Sequence, residues 1–393
     1  MTTTNPRNGN GNGNGHEGSA VAFLRGYFEL QPILVPICAI LLAVAAGGIV
    51  ILLVGENPFT AYWSLLRGMF GSWDRVAASL GRSTPFIGAA LAVAFAFRAG
   101  LFNIGVEGQL LVGATAAAWV GTWDVVDDLP GPLAVVTVLI AGAIGGALYG
   151  FIPGFLKVRT GAHEVITTIM LNNIALVIVR WLVNSTDPLI LRDQSASVAR
   201  SASIADGARL PGLVDSSPPL HVGFLIMLGL CVFVWFVLQR TTKGFEIRMV
   251  GANPHASLYA GVGVSTVIVL VMVMAGSFAG LAGAGEIAGT AGYLSPGVFI
   301  AVGFDSIAIA LLARANPFAV VPAAILWGSM LAGAPLMQQE TGLSIDIVRI
   351  VQALVLLFVA ADVIVRTVFR MRTKTEGGFE EPSFGTEWGG TAI

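Results

Sequence analysis

Long apolar runs separated by short polar segments set the pattern of this chain. The runs lie at 32–54, 76–97, 101–121, 133–153, 164–183, 221–239, 262–285, 298–313, 317–337 and 345–368. Each reads as a helix crossing a bilayer, because lipid offers no partner for a backbone N–H or C=O and a helix satisfies both internally. The pattern predicts an all-α integral membrane protein of about ten spans, with residues 26–370 as its transmembrane domain. The first run is too long for the core of a secretory signal and lacks a convincing cleavage site. Residues 1–25, with the run Asn8-Gly-Asn-Gly-Asn-Gly-Asn-Gly15, have nothing to bury and are expected to be disordered; the Gly-rich tail 371–393 is expected to be flexible.

Three polar segments between the runs differ in kind. Residues 55–75, with Trp63, Trp73 and Arg75, are amphipathic and aromatic and suit the membrane interface. Residues 184–220 are the longest connection and carry Asp187, Arg192, Asp193, Arg200, Arg209 and Asp215. A docking surface for an external partner and a solvated linker fit them equally. The segment from Gly244 to Gly261 is compact, and in it Asn253 followed by Pro254 starts a short helix. Asn caps the free N–H groups, Pro fits the first turn, and His255 to Tyr259 complete about two turns. Such a helix suits a lever for a motor subunit, and an ordinary cap on re-entry to the membrane fits about as well.

Positive charge fixes the orientation. With the N-terminus inside, Arg7, Arg25, Arg98, Lys157, Arg159, Arg240, Lys243, Arg248, Arg314, Arg366, Arg370, Arg372 and Lys374 are cytoplasmic. The outside loops 122–132, 286–297 and 338–344 then hold no Lys or Arg. An even number of spans puts both termini in the cytoplasm. Composition agrees: charged residues make up 11% and apolar residues 55%, against roughly 25% charged in a soluble domain. The net charge of −2 favours neither nucleic acid nor an anionic surface. Cys38 and Cys231 both lie in apolar runs and read as packing, which excludes a disulfide framework.

Polar residues inside spans are costly and turn inward. Arg82 opens the second span, and Asp346, Arg349 and Gln352 open the last, with Asp346 and Arg349 spaced for a local ion pair. Glu107 and Gln109 follow Asn103 in a stretch where Gly100, Gly105 and Gly108 weaken a helix; Asn172 and Asn173 lie mid-span; Asp305 sits in Gly303-Phe-Asp-Ser306. Each serves either as glue between helices or as lining for a polar solute. The Glu107 segment is the best lining candidate, because a broken helix exposes backbone that must face protein or water. Glu107 and Asp305 also leave room for a self-sufficient, ion-coupled carrier. Enzyme chemistry is disfavoured: no His, Cys and carboxylate cluster has metal-ligand spacing, and no phosphate-binding loop exists, since none of the three lysines follows a glycine.

The segments Ala94-Phe-Ala-Phe-Arg-Ala-Gly-Leu-Phe-Asn-Ile-Gly-Val-Glu-Gly-Gln-Leu-Leu-Val-Gly113 and Gly251-Ala-Asn-Pro-His-Ala-Ser-Leu-Tyr-Ala-Gly261 resemble the permease subunits of bacterial ABC importers for nucleosides and simple sugars. Gly303-Phe-Asp-Ser-Ile-Ala-Ile-Ala-Leu-Leu312 and Asp362 also fit that group, which belongs with the ribose and branched-chain amino-acid permeases. The resemblance implies a fold similar to that of the cobalamin-type (type II) importers. It also implies a second, usually different, permease chain, cytoplasmic ATPases that bind ATP and Mg, and an outside binding protein, often a lipoprotein. By the same likeness the helix at 251–261 is the coupling helix seated in the ATPase, with Glu246 and Arg248 making polar contacts beside Asn253, Pro254, His255 and Tyr259. The chain itself needs no cofactor, and its setting is the bacterial cytoplasmic (inner) membrane.

Overall fold

The structure, a computed structural model, describes Leu34 and residues 37–361 except 188, 189, 298 and 300. The expected disordered N-terminal tail, flexible C-terminal tail and Asp362 lie outside the described residues. In chain order the helices are α1 (Ile37–Val54), α2 (Pro58–Phe70), α3 (Trp73–Phe97), α4 (Val106–Gly121), α5 (Asp124–Asp127), α6 (Gly131–Thr160) and α7 (Glu164–Asn184). After an outer segment come α8 (Gly223–Arg240), α9 (Thr242–Ala252), α10 (Pro254–Tyr259), α11 (Val264–Glu286), α12 (Val302–Leu312), α13 (Pro317–Thr341) and α14 (Asp346–Ala360). Seven of them, α1, α3, α6, α7, α8, α11 and α13, are long and apolar enough to cross a membrane.

Side-chain caps start several of these helices. Asn57 and Asn316 each accept the N–H two residues on, with a proline in the first turn, and Ser72 accepts from Arg75. Gly161 in the left-handed conformation closes α6. At the centre stands α3, where every residue from Ala77 to Phe97 except Leu80 and Arg82 is buried. Around it, α6 and α7 turn apolar faces outward, Ile140, Ile144 and Leu148 on one and Ile166, Met170 and Val177 on the other, as helices against lipid do.

Glycines bring α4, α6 and α11 into backbone contact. A Cβ on Gly146 would collide with the Gly276 carbonyl, one on Gly280 with the Gly142 carbonyl, and one on Gly113 with the Gly280 backbone. Small residues at such crossings let dispersion act between backbones where no hydrophobic force operates between helices.

Several expectations change. The segment 55–75 is more than an interface stretch: α2 packs on α13, with Gly68 against the Gly333 backbone and Glu340 taking hydrogen bonds from Ser64 (2.6 Å) and Arg67 (2.7 Å). Phe59, Trp63 and Phe70 remain exposed on its other side. The segment 184–220 is not a loose linker. Its β1 (Gly212–Val214) and β2 (Leu220–His221) form a short antiparallel hairpin. Ser201, Ile204 and Leu210 donate backbone bonds of 2.8–2.9 Å to Leu294, Gly292 and Ala288, and Ala205 donates to Gly121 at 2.8 Å. It is a packed cap on the ends of α4 and α11. The acceptor Ala288 lies in a π-turn, Ile287–Ala291, whose altered register leaves its carbonyl for the cap. The spans expected at 101–121 and 298–313 begin late, at Val106 and Val302, and the polar segment 244–261 contains two helices rather than one.

Candidate functional site

Two helices begin inside the membrane, and they begin against each other. After α3 the chain turns at Gly100 (φ 70°) and runs without helix to Gly105. Arg98, at the foot of α3, donates to the Ala315 carbonyl just beyond α12 at 2.9 Å. From there α12 reaches back to Gly303 through about 15 Å, half the hydrocarbon thickness. At that depth the Glu107 carboxylate, in the first turn of α4, accepts the Gly303 N–H at 2.5 Å. Gly303 has no room for a side chain, since a Cβ would strike the Glu107 backbone.

The non-helical strap leaves backbone groups that must be satisfied inside the protein, and the neighbouring polar residues do so. Asn172 of α7 accepts from Gly108 N–H at 2.8 Å and donates to the Ile104 carbonyl at 2.9 Å. Asn103 accepts from Gly105 N–H at 3.0 Å and exchanges amide bonds of 3.0 and 3.3 Å with Gln109. Asn103, Glu107, Gln109 and Asn172 are all buried. Asp305, in the first turn of α12 two residues beyond Gly303, is half-buried. Arg349 lies 3.8 Å from Asp346, the local pair expected from their spacing.

The positive ends of two helix dipoles therefore meet two carboxylates of the chain itself. Elsewhere such N-termini bind anions; here they are already occupied. Of the sequence candidates the structure gathers Asn103, Glu107, Gln109, Asn172 and Asp305. It does not gather Asn173, which is exposed and donates to its own Ile169 carbonyl at 3.1 Å. Sequence reasoning missed two members. One is the Gly303 N–H. The other is Tyr149, packed on Gly108 with its hydroxyl donating to Leu171 at 2.6 Å. Gly303 sits two residues before Asp305, the only signal available.

At the other polar segment, Thr241 caps α9 by accepting from Gly244 N–H at 3.0 Å, and Asn253 caps α10 by accepting from Ala256 N–H at 3.0 Å. His255, Leu258 and Tyr259 stand exposed on α10, Tyr259 at 95%. Phe245 of α9 is also exposed and lines a cleft of about 470 Å³ with Glu246, Val262 and Thr266. Glu246 pairs with Lys243 at 2.9 Å, and Arg248 donates to the Leu238 carbonyl and to Gln239. Both are thus engaged within the chain. Gly251 abuts the Arg98–Ala99 backbone, so α9 rests on the start of the strap.

A family profile described as branched-chain amino acid transport system / permease component matches residues 75–360. The chain belongs to this permease family. Within it, the chain is 45% identical over 343 residues to the guanosine ABC transporter permease NupP of Bacillus subtilis, covering 86% of this chain and 96% of that one. It is 35% identical over 345 residues to the nucleoside ABC transporter permease NupB of Lactococcus lactis (86% and 94%). It is 33% identical over 333 residues to the glucose ABC transporter permease TsgB13 of Haloferax volcanii (82% and 86%). No solved structure matches it. As a permease of this family with several apolar helices, the chain is a multi-pass membrane protein.

Proposed function

We propose that this chain is the transmembrane permease subunit of an ATP-driven ABC importer that carries a nucleoside by alternating access. The likeness to NupP across 86% of the chain carries the reading. The chemistry of the mid-membrane site supports it: both helix N-termini are neutralised from within, so the site has no unbalanced charge with which to hold an anion, which suits an uncharged solute. Asn103, Glu107, Gln109, Asn172 and Asp305 border the path, and Asn173 faces outward beside it. A self-sufficient ion-coupled carrier is not favoured, because the relatives are ABC transporter permeases.

ATP and Mg bind in partner ATPase subunits, and this chain is non-catalytic. The α9–α10 pair docks the ATPase through exposed Tyr259, His255, Leu258 and Phe245, with Asn253 and Pro254 fixing the start of α10 and Glu246 and Arg248 bracing α9. Both termini are cytoplasmic in the inner membrane. A second, related permease chain completes the path, and an external binding protein, commonly a lipoprotein, selects and delivers the solute. ATP shifts the equilibrium between inward and outward states only by its differential affinity for them.

The test is uptake of labelled guanosine, glucose and ribose into proteoliposomes holding the chain with and without the ATPase, second permease and binding protein. Guanosine uptake that requires ATP and all three partners is the expected result. Uptake by the chain alone, driven by an ion gradient, overturns it; ATP-driven uptake of glucose in place of guanosine overturns the solute.

A further inference from the structure

Asp74 and Arg75 follow the exposed Trp73 in the first turn of α3 and set opposite charges side by side where a span begins. With Ser217 of the cap and Gln339, near the end of α13, they form the polar mouth of a cleft of about 310 Å³. Its remaining walls are apolar: Gly68 of α2, Ala78 of α3, and Ala332, Pro335 and Leu336 on one face of α13. Gln339 and Ala332 are seven residues apart, so the cleft runs about 10 Å along the helix, away from the end of the span. The charges therefore lie at the membrane rim and the apolar wall extends toward the hydrocarbon.

The polar groups of the mouth are uncommitted. Among the described residues the Asp74 carboxylate, the Ser217 hydroxyl and the Gln339 amide make no hydrogen bond or ion pair. The Arg75 guanidinium makes one long bond, 3.4 Å, to the Arg67 carbonyl, and its other N–H groups stay free. The neighbouring charges are spent on each other, since Arg67 pairs with Glu340 at 2.7 Å. The mouth thus offers one free negative and one free positive group, with no net charge. An anionic occupant leaves Asp74 unmatched, and a cationic one leaves Arg75 unmatched. A zwitterion with an apolar body matches both charges and the wall beside them. Trp73, exposed next to the mouth, is of the type that settles at the level of lipid headgroups.

We propose that this cleft seats a membrane phospholipid with a phosphoethanolamine head. The phosphate accepts from Arg75 and Ser217, and the primary ammonium donates to Asp74 and the Gln339 amide oxygen. An acyl chain lies along Ala332, Pro335 and Leu336. A choline head carries the same charges but no N–H for Asp74, and a glycerol head brings an anion with no cation for Asp74. The bound lipid touches α2, α3, α13 and, through Ser217, the cap. The site requires that the chain lie in a membrane and is independent of which solute it carries.

The test uses the purified full chain in detergent, titrated separately with dioctanoyl phosphatidylethanolamine, phosphatidylcholine and phosphatidylglycerol, with lipid adducts followed by native mass spectrometry. One saturable adduct is expected, formed about tenfold more tightly with phosphatidylethanolamine than with either other lipid, the worth of one charge-assisted hydrogen bond. Asp74→Asn is expected to reduce the preference over phosphatidylcholine severalfold, and Arg75→Gln to weaken all three lipids. Ala332→Trp, which fills the apolar wall, is expected to remove the adduct. The headgroup ranking is read on the unaltered chain, so it decides the matter even where a variant fails to fold. Equal binding of the three lipids overturns the site. So does a preference for phosphatidylglycerol, or an ethanolamine preference that survives both Asp74→Asn and Arg75→Gln.

Discussion

The Glu107 carboxylate accepts the Gly303 N–H at 2.5 Å and so ties the start of α4 to the start of α12 in the middle of the membrane. The bond joins two helix N-termini that would otherwise present unpaired donors and positive dipole ends to each other.

Glu107→Ala removes the acceptor and leaves a buried N–H unsatisfied, at about 1–3 kcal/mol. Glu107→Gln keeps an acceptor without the charge. If Glu107 borders the path, both variants insert and assemble, and uptake falls about tenfold or more in Ala and less in Gln. Loss of the assembled complex in Ala, seen by size-exclusion chromatography, would instead assign Glu107 a purely structural part.

Asn172→Ala strips partners from two backbone groups of the strap, the Gly108 N–H and the Ile104 carbonyl. Its cost is expected at about 2–4 kcal/mol, whereas Asn173→Ala, which loses one bond to its own helix, stays within about 0.5 kcal/mol. Thermal unfolding of the two purified variants in detergent compares them directly, and equal losses would contradict the placement.

His255→Pro and Tyr259→Asp alter α10 where it is exposed, so neither disturbs the membrane core. The expectation is a chain that inserts normally while ATP hydrolysis no longer responds to solute. Normal solute-stimulated hydrolysis in Tyr259→Asp would remove α10 as the docking element.

Gly146→Val drives a side chain into the Gly276 carbonyl, a collision between backbones that no rotamer relieves. It is expected to cost more than the roughly 1–3 kcal/mol of ordinary overpacking and to abolish accumulation of folded protein. Gly161→Ala, with open space around its Cβ, costs only the strain of a left-handed alanine, about 1 kcal/mol. Yields of monodisperse protein separate the two cases.

Burial pushes the His221 imidazole from the usual 6.5 down to about 4. As pH falls, the unfolded chain therefore takes the proton first. The stabilisation held by the neutral ring is full above about pH 6.5, declines below it, and is gone at about pH 4, an amount on the order of 3 kcal/mol. His221→Asn, which cannot titrate, is expected to flatten that part of the melting-temperature profile between pH 6.5 and 4. An unchanged slope would show that other groups set it.

Seven of the ten expected spans stand, among the described residues, as helices long and apolar enough to cross a membrane, because a long apolar run in lipid favours helix, and the cap of α10 was written in Asn253 and Pro254. The late start of α4 was signalled by Gly100 and Gly105. The late start of α12 was not, because the residues before Val302 are themselves apolar and hydropathy cannot distinguish helix from other buried chain. Asn172 and Asn173 are neighbours a third of a turn apart, and only packing decides which one faces the bundle. The α9 helix was missed because Thr242 to Ala252 shows no apolar stripe. The joining of Glu107 to Gly303 spans half the chain, beyond the reach of any local pattern.

The glycine contacts of α4, α6 and α11 also settle what can move. Helices separated by side chains slide when rotamers change, but backbones that touch at Gly113, Gly142, Gly146, Gly276 and Gly280 have nothing to rearrange. With the cap stitched across their ends, these three helices are expected to move as one body. The strap from Arg98 to Gly105, on which α9 leans at Gly251, is instead tied by the side chains of Arg98, Asn103 and Asn172, which a change of rotamer can release.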